Sequence, residues 1–316
     1  MQVYGEATAH SLVMMNGHVP KSQPALPSAV CLPREVSEYV PAAGEIKQGS
    51  GLEGLRHIFG DLPLDDFEKQ VVEEFREFFN EWEEWEGDES PAGKVRLEGT
   101  VFDDDNFLLR FLQGNGWDLC KTARDVMHHL EWRRTALPVP LSHVQHLMHS
   151  GIIYLHGRDR CRRPIIVIRA KQLGQVTQDA ALKLAFYWLE YAVHNLMVKN
   201  RVEQWRVIID LHEVGYTDLP VTTLKTVASH LQRNYRQRLS GMYIIYTPWV
   251  FWGIWQMVSY LLQETTRRKI KILAESFADE LLKDIHPCQL EERYGGVCPN
   301  IVDYDKPILP PPPFSQ

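Results

Sequence analysis

The sequence is poor in cysteine, and its cysteines form no pattern that predicts a bond or a metal site. They are odd in number, far apart and never in a CxxC pair: Cys31, Cys120, Cys161, Cys288 and Cys298. This spacing argues against a disulfide framework and a zinc site, and it favours a reducing compartment. The first thirty residues also lack an uninterrupted apolar run. We therefore expect no secretory signal and a cytoplasmic protein.

The sequence also lacks the motifs of common enzymes. It has no GxSxG elbow for a hydrolase nucleophile and no GxxxxGK phosphate loop. Asp210 ends a β-rich run, where an aspartate that caps a turn is more common than a catalytic one. His143, His146 and His149 recur every three residues, but no cysteine or acid completes a metal site. We therefore expect no enzymatic activity, no metal and no cofactor.

The net negative charge of the chain is concentrated in a single window. The chain carries −7 overall, but the window from Asp65 to Glu89 alone carries −10, which leaves +3 for the remainder. A mildly basic body with one acidic appendage argues against nucleic acid as a partner. Within the window, apolar residues recur at three- and four-residue steps between the acids, which predicts an amphipathic helix capped by Asp65 or Asp66. The acidic helix 66–86 is a candidate contact surface for a protein partner.

Composition divides the chain into four parts. Residues 1–60 are rich in Pro, Gly, Ser and Ala without periodicity, which predicts a disordered N-terminal tail. Residues 61–140 contain three helical patterns, and we expect a small helical module. Residues 141–300 alternate short β-rich runs with helical stretches, which predicts an α/β domain with a mixed, mostly parallel sheet. Residues 301–316 form a Pro-rich tail with an extended polyproline run.

The β-rich runs are short and bounded by helical stretches. We expect strands at Ile152–His156, Ile165–Arg169, Trp205–Leu211, Met242–Tyr246 and Ile270–Leu273. The helical stretch between Asp179 and Lys199 is apolar on nearly every face, so we expect it to be buried on more than one side.

One long uncharged segment lies between Arg238 and Glu264. Its 25 residues are enough for a membrane span. However, the Thr247-Pro248 pair divides it into a β-branched run and a short aromatic helix. We therefore expect no span here.

Seven motifs occur in order over nearly 200 residues, and together they resemble the CRAL-TRIO lipid-binding family. They are DDDNFLLRFLQGNGWD, EWRR, GRDRCRRPIIV, WRVIIDL, LQRNYRQRLSGMYIIYTPWVFWGIW, TRRKIKIL and LEERYGG. This family contains yeast phosphatidylinositol transfer protein and the retinaldehyde and tocopherol carriers. The resemblance implies a helical module beside a domain whose sheet floors a hydrophobic pocket. It also implies a mobile gate helix that covers the pocket and opens at membranes.

The resemblance assigns expected roles to named residues. The segment PWVFWGIWQMVSYLL (248–262) matches the gate, with membrane contacts expected from Trp249, Trp252, Ile254, Val258, Leu261 and Leu262. The expected pocket lining is Phe186, Leu189, Tyr191, Val193, Ile245, Tyr246, Phe251 and Trp255. The expected lipid headgroup contacts are Thr266 and Lys269, which match the family's phosphatidylinositol branch, together with Arg268 and Arg238.

The cations after the gate have two interpretations. Arg267, Arg268, Lys269 and Lys271 could orient the pocket mouth toward an anionic leaflet. They could also be a solvated helix end whose charges complement the helix dipole.

The sequence departs from the family at other headgroup positions. The family's basic pair after the LLRFL helix is Asn115-Gly116 here, and the acid of its PER motif is Gln237. We expect a monomeric cytoplasmic carrier that binds one lipid, such as phosphatidylinositol or phosphatidylcholine, and meets membranes transiently. Two alternatives stay open: a carrier of a neutral isoprenoid of the retinoid, tocopherol or squalene type, and a membrane-sensing scaffold that transfers nothing.

Overall fold

The computed structural model describes residues 31–82, 101–215, 218–219, 221–249, 251–274 and 276–314. The helices are α1 Arg34–Ser37, α2 Ala43–Ile46, α3 Asp66–Glu81, α4 Asp105–Gly114, α5 Leu119–Ala136, α6 Leu141–Met148, α7 Gln178–Tyr191, α8 Val221–Asn234, α9 Phe251–Ser259, α10 Glu264–Arg267 and α11 Ala278–Asp284. The strands are β1 Lys47–Gln48, β2 Leu55–Arg56, β3 Ile153–Arg158, β4 Pro164–Arg169, β5 Trp205–Asp210, β6 Leu239–Ile245 and β7 Ile270–Ile272.

A five-stranded sheet in the order β3-β4-β5-β6-β7 forms the centre of the larger domain. Strand β3 is antiparallel to β4, and the other three pairs are parallel. The predicted mixed, mostly parallel sheet of an α/β domain is therefore confirmed. Each predicted strand is present, and the largest shift is at β6, which begins at Leu239 because its first residues pair with Trp205 and Arg206.

The predicted helical module is formed by α3, α4 and α5. Asp65 and Glu68 form a reciprocal capping box at the start of α3, and Asp104 and Asp118 cap α4 and α5. The apolar faces of the three helices pack into one cluster that includes Phe75. The part of the predicted acidic helix 66–86 beyond residue 82 lies outside the described residues.

The segment of residues 31–60 differs from the predicted disordered tail. It contains α1, α2, β1 and β2, and the side chains of Val36 and Phe59 are fully buried. The carboxylate of Glu203 accepts hydrogen bonds from the backbone N–H groups of Phe59 and Gly60, at 3.0 and 2.8 Å. The composition was misleading because this segment is ordered by partners elsewhere in the chain. Residues 1–30 lie outside the described residues.

The Pro-rich segment is extended as predicted, but residues 301–314 pack against the domain. Ile308 adds a parallel bridge at the edge of β3, where its N–H donates to Leu155 O at 3.1 Å and its carbonyl accepts from Gly157 N at 3.0 Å. The side chain of Gln289 donates to the carbonyls of Pro310 and Pro311. Prolines cannot donate, but their free carbonyls accept these bonds.

The long uncharged segment divides as predicted. Strand β6 ends at Ile245, and α9 begins at Phe251 and has nine residues. Among the helices that the structure describes, none is both long and apolar enough to cross a membrane.

Candidate functional site

A cavity of about 270 Å³ lies between the sheet and helices α7, α8 and α9. Its floor is the apolar face of the sheet, formed by Ile166, Ile168, Val207, Ile209, Ile244 and Ile270. The helices contribute the walls, with Ala185 and Leu189 from α7, Leu224 and Leu231 from α8, and Ile254 and Trp255 from α9. The site is a partly open, mostly apolar space, as expected for a ligand with a long apolar part.

Two predicted lining residues lie on the opposite face of the sheet. Ile245 belongs to the core beneath the sheet, and Tyr246 packs against Phe277 with ring centroids 4.6 Å apart. Successive side chains of a strand point to opposite faces, so Ile244 lines the cavity while Ile245 points away from it. The prediction was wrong for Ile245 because it did not follow this alternation. It was wrong for Tyr246 because β6 ends at Ile245 and the backbone turns at Tyr246, whose φ is 54°.

Four residues in and just after α7 were predicted to line the cavity, and Leu189 alone among these four does so. Phe186 instead packs against Trp132 of the helical module, with ring centroids 5.2 Å apart. Tyr191 is buried beside Trp188, and Val193 packs against the surrounding core. A helix that is buried on several sides has several apolar faces, and its sequence does not distinguish which one meets a cavity.

Helix α9 covers the cavity, as the gate prediction implies. Phe251, Trp255, Ile254, Val258 and Leu262 line the cavity. The prediction of pocket contacts is thus matched for Phe251 and Trp255. Ile254, Val258 and Leu262 were expected to contact a membrane, but they face the cavity in this arrangement. Ile254 and Val258 share the helix face of Phe251, and Leu262 follows the end of α9.

The outward face of the gate is aromatic. Trp249 is 87% exposed and Trp252 is 53% exposed, which is consistent with the predicted membrane contact. Met257 and Tyr260 are also exposed, at 44% and 66%, and the sequence prediction missed them. Leu261 is half-buried, and its carbonyl accepts a hydrogen bond from Gln232.

One end of the cavity is polar and contains a partly buried cation. Lys269 and Thr266 both line this end, together with Gln263. The Lys269 ammonium donates to Leu239 O at 2.9 Å, and no carboxylate of the described residues forms an ion pair with it. Burial, and to a lesser extent the charge of Arg163, lowers the pKa of Lys269 to about 8. This cation therefore lies beside an apolar space without a neutralising partner.

The helical module closes the polar end. The carbonyl of Gly114, at the end of α4, accepts hydrogen bonds from Gln263 Nε2 at 2.8 Å and from Arg236 Nη1 at 3.0 Å. Arg236 also pairs with Asp125. A Cβ at Gly114 would lie 2.9 Å from Arg236 Cδ, so a glycine leaves room for this side chain. Sequence reasoning missed Gln263 as a cavity residue, because its partners are up to 149 residues away in the chain.

Two of the predicted headgroup residues are not at the cavity. Arg238, the residue before β6, donates to the carbonyl of Glu203, which lies just before β5, at 2.9 Å. Arg268 is exposed, and its Nε pairs with Glu264 at 3.0 Å. Thr266 and Lys269 are thus brought together, whereas Arg238 and Arg268 are directed elsewhere.

Asn115, which replaces a family basic residue, is turned away from the cavity. It is buried, and its Nδ2 donates to Thr122 Oγ1 at 3.4 Å inside the helical module. Asp210 has the predicted turn-capping role, since its carboxylate accepts from His212 N and from the Tyr294 hydroxyl. Among the described parts of the chain, no three His, Cys, Asp or Glu residues form a group that could hold a metal ion.

Residues 148–296, which contain the sheet and the cavity, match the family model described as CRAL/TRIO domain. The chain contains a CRAL/TRIO domain. The chain is similar to phosphatidylinositol/phosphatidylcholine transfer protein SFH9 of Arabidopsis thaliana, with 27% identity over 224 residues, 62% of this chain and 38% of that protein. It is also similar to Sec14 cytosolic factor of Schizosaccharomyces pombe, with 26% identity over 215 residues, 62% of this chain and 75% of that protein.

The fold is shared with a solved structure. The crystal structure of Sfh5 aligns with a TM-score of 0.50 and 14% identity, covering 70% of this chain and 85% of that one. Several curated relatives are much longer than the matched part, since the alignments span 48%, 38% and 18% of three of them.

Proposed function

We propose that this CRAL/TRIO chain is a non-enzymatic lipid carrier that encloses one phospholipid in the cavity beneath α9. The observation that supports it best is the cavity itself, which is apolar along the sheet and helices and has one uncompensated cation at its end. An apolar space suits acyl chains, while a partly buried ammonium favours an anionic group over a neutral one. A phosphodiester attached to acyl chains satisfies both conditions.

The proposed headgroup contacts are Lys269 and Thr266. A phosphate near the Lys269 ammonium would replace part of the solvation that burial removes, and charge-assisted hydrogen bonds are among the stronger ones. Phosphatidylinositol and phosphatidylcholine are the proposed ligands, and both words occur in the name of the Arabidopsis relative. A single lysine selects for a phosphate but discriminates less between headgroups than a bidentate arginine network.

Release and uptake of the lipid require that α9 moves away from the sheet. The inner face of α9 lines the cavity and its outer face carries exposed Trp249 and Trp252, so the same helix can contact the ligand and a bilayer. We propose a cytoplasmic protein that associates with membranes peripherally and transiently, as a monomer. One relative is named a cytosolic factor.

Native mass spectrometry with lipid extraction tests the proposal on the purified wild type, Lys269→Ala and Arg268→Ala. Arg268 is the matched control, because it is a cation of the same segment that does not line the cavity. We expect the wild type and Arg268→Ala to carry a phospholipid, and Lys269→Ala to carry at least roughly tenfold less.

Two other outcomes would change the assignment. A neutral isoprenoid, bound equally by all three proteins, would refute the phosphate contact and leave the carrier. The observation that favours this second candidate is that Asn115 is turned away from the cavity. An empty wild-type cavity, together with a stable protein partner, would refute the carrier in favour of the scaffold.

A further inference from the structure

The gate and the segment that follows it carry no net charge in sequence. Residues 239–263 contain no Asp, Glu, Lys or Arg, and residues 264–284 contain five acidic and five basic residues. Within this neutral region, the exposed side chains on and next to α9 are large: Trp249, Trp252, Met257 and Tyr260. Trp and Tyr rings favour the headgroup level of a bilayer, where their apolar and polar parts are both accommodated.

The basic residues just after the gate are held in ion pairs. The two carboxylate oxygens of Glu264 are each used: Oε2 pairs with Arg267, and Oε1 pairs with Arg268 at 3.0 Å. Glu280 has the same arrangement, with Lys271 at 2.6 Å and Lys283 at 2.5 Å. The remaining cation of the run, Lys269, is directed into the cavity.

Exposed ion pairs are individually weak, so the important quantity is the summed charge that a membrane meets. Each cation that remains available near an anionic leaflet strengthens binding roughly fivefold, and an adjacent carboxylate cancels that gain. From the neighbouring helix α8, Lys225 adds one positive charge, with its ammonium 5.8 Å from the centre of the Tyr260 ring. We therefore expect the aromatic side chains to contribute strongly to membrane binding, and the charges of this surface to contribute little.

We propose that Glu264, by holding Arg267 and Arg268, makes the gate surface dock on uncharged, zwitterionic bilayers with little preference for anionic lipid. This inference rests on the carrier function proposed above and adds to it the kind of membrane that the carrier meets. Glu264 thus determines which membranes the gate prefers, because it neutralises charge on the two arginines that would otherwise attract anionic lipid. The alternative interpretation is that the basic run attracts an anionic leaflet. That attraction requires an excess of positive charge, and Glu264 and Glu280 offset the positive charges of this run.

Vesicle flotation tests the inference, with phosphatidylcholine vesicles compared with vesicles of phosphatidylcholine and phosphatidylserine, at low and at physiological ionic strength. We expect the wild type to bind both vesicle types within about threefold of each other, with little effect of salt. The double variant Trp249→Ser, Trp252→Ser should lose at least roughly tenfold in binding to both. Val302→Ser is the matched control, because Val302 is 87% exposed outside the gate, and it should bind like the wild type.

The informative variant is Glu264→Gln, which keeps the shape of the side chain and frees both arginines. We expect it to bind phosphatidylserine-containing vesicles roughly fivefold more tightly than the wild type, in a salt-sensitive manner, with no change on phosphatidylcholine alone. A wild type that already prefers phosphatidylserine strongly, or a Glu264→Gln variant without a gain, would overturn the inference.

The lipid content of the same preparations separates the two proposals. A wild type that carries a lipid but binds neither kind of vesicle would show that the aromatic face meets something other than a bilayer, and the inference would fail while the carrier stands. A wild type that carries no lipid refutes the carrier function, whichever vesicles it binds.

Discussion

At the scale of single residues, Lys269 is the side chain whose environment is hardest to explain without a ligand. Its ammonium is largely removed from water, bonds one carbonyl oxygen and forms no ion pair with any described carboxylate. A cation that is largely desolvated in this way is unfavourable for the folded protein, and its lowered pKa expresses that cost. A bound anion would remove this energetic cost.

The lipid-free protein should therefore be destabilised by Lys269. In the folded protein the pKa of Lys269 is about 8, whereas its ordinary value is 10.5, so the unfolded chain holds the proton more tightly. The penalty is complete below pH 8 and disappears as the pH rises toward 10.5. We expect lipid-free Lys269→Met to be more stable than lipid-free wild type by roughly 1–3 kcal/mol at neutral pH, with a smaller difference near pH 10. Urea unfolding of both proteins measures this, and a difference that does not change with pH would contradict it.

The sequence predicted part of the site at this scale, for identifiable reasons. Thr266 and Lys269 lie three residues apart along the chain, so a local motif was enough to pair them. Gly114, Arg236 and Gln263 meet only in the folded protein, where two side chains bond one carbonyl at the end of α4. No local pattern contains that information.

At the scale of elements, Glu203 shows why composition failed to predict the segment of residues 31–60. The buried carboxylate of Glu203 accepts the N–H groups of Phe59, Gly60 and Asn200 and pairs with Arg110 of α4. The segment has too few apolar residues for a core of its own, but one acid beside β5 satisfies its backbone. By contrast, α3 to α5 and the strands could be predicted because their periodicity and caps are local.

Removing this acid should loosen the N-terminal segment from the rest of the fold. We expect Glu203→Ala to lower the free energy of unfolding by about 3–5 kcal/mol, because Arg110 and three backbone N–H groups lose a buried partner. Glu38→Ala is the control, since Glu38 forms an exposed i,i+4 pair with Arg34 and should change stability by less than about 1 kcal/mol. Urea unfolding gives both values. Hydrogen exchange at Phe59 and Gly60 should rise in the first variant alone, and unchanged protection there would refute the assigned role.

At the scale of the whole molecule, both end segments meet on the turn between β3 and β4. The guanidinium of Arg162 lies 4.7 Å from the ring centre of Tyr39 and 5.6 Å from that of Phe314. Between these contacts, the backbone of Ile308 covers the edge of β3. The sheet is thus extended at one edge by a segment whose prolines suggested a free tail. An uncovered edge strand is a site for pairing with another chain, so this segment also limits self-association.

A chain that ends at Pro307 should therefore be less stable and more prone to associate. The shortened chain loses the bonds of Ile308 to β3, the carbonyl partners of Gln289 and the burial of Phe314. We expect the free energy of unfolding to fall by roughly 2–5 kcal/mol and oligomers to appear as the concentration rises. Chemical unfolding and light scattering after size-exclusion chromatography measure the two effects. A chain that ends at Phe314 keeps all three contacts and is the control. Equal stability of the two chains would mean that residues 308–314 lie on the domain without holding it, and a monomer at every concentration would mean that the edge of β3 needs no cover.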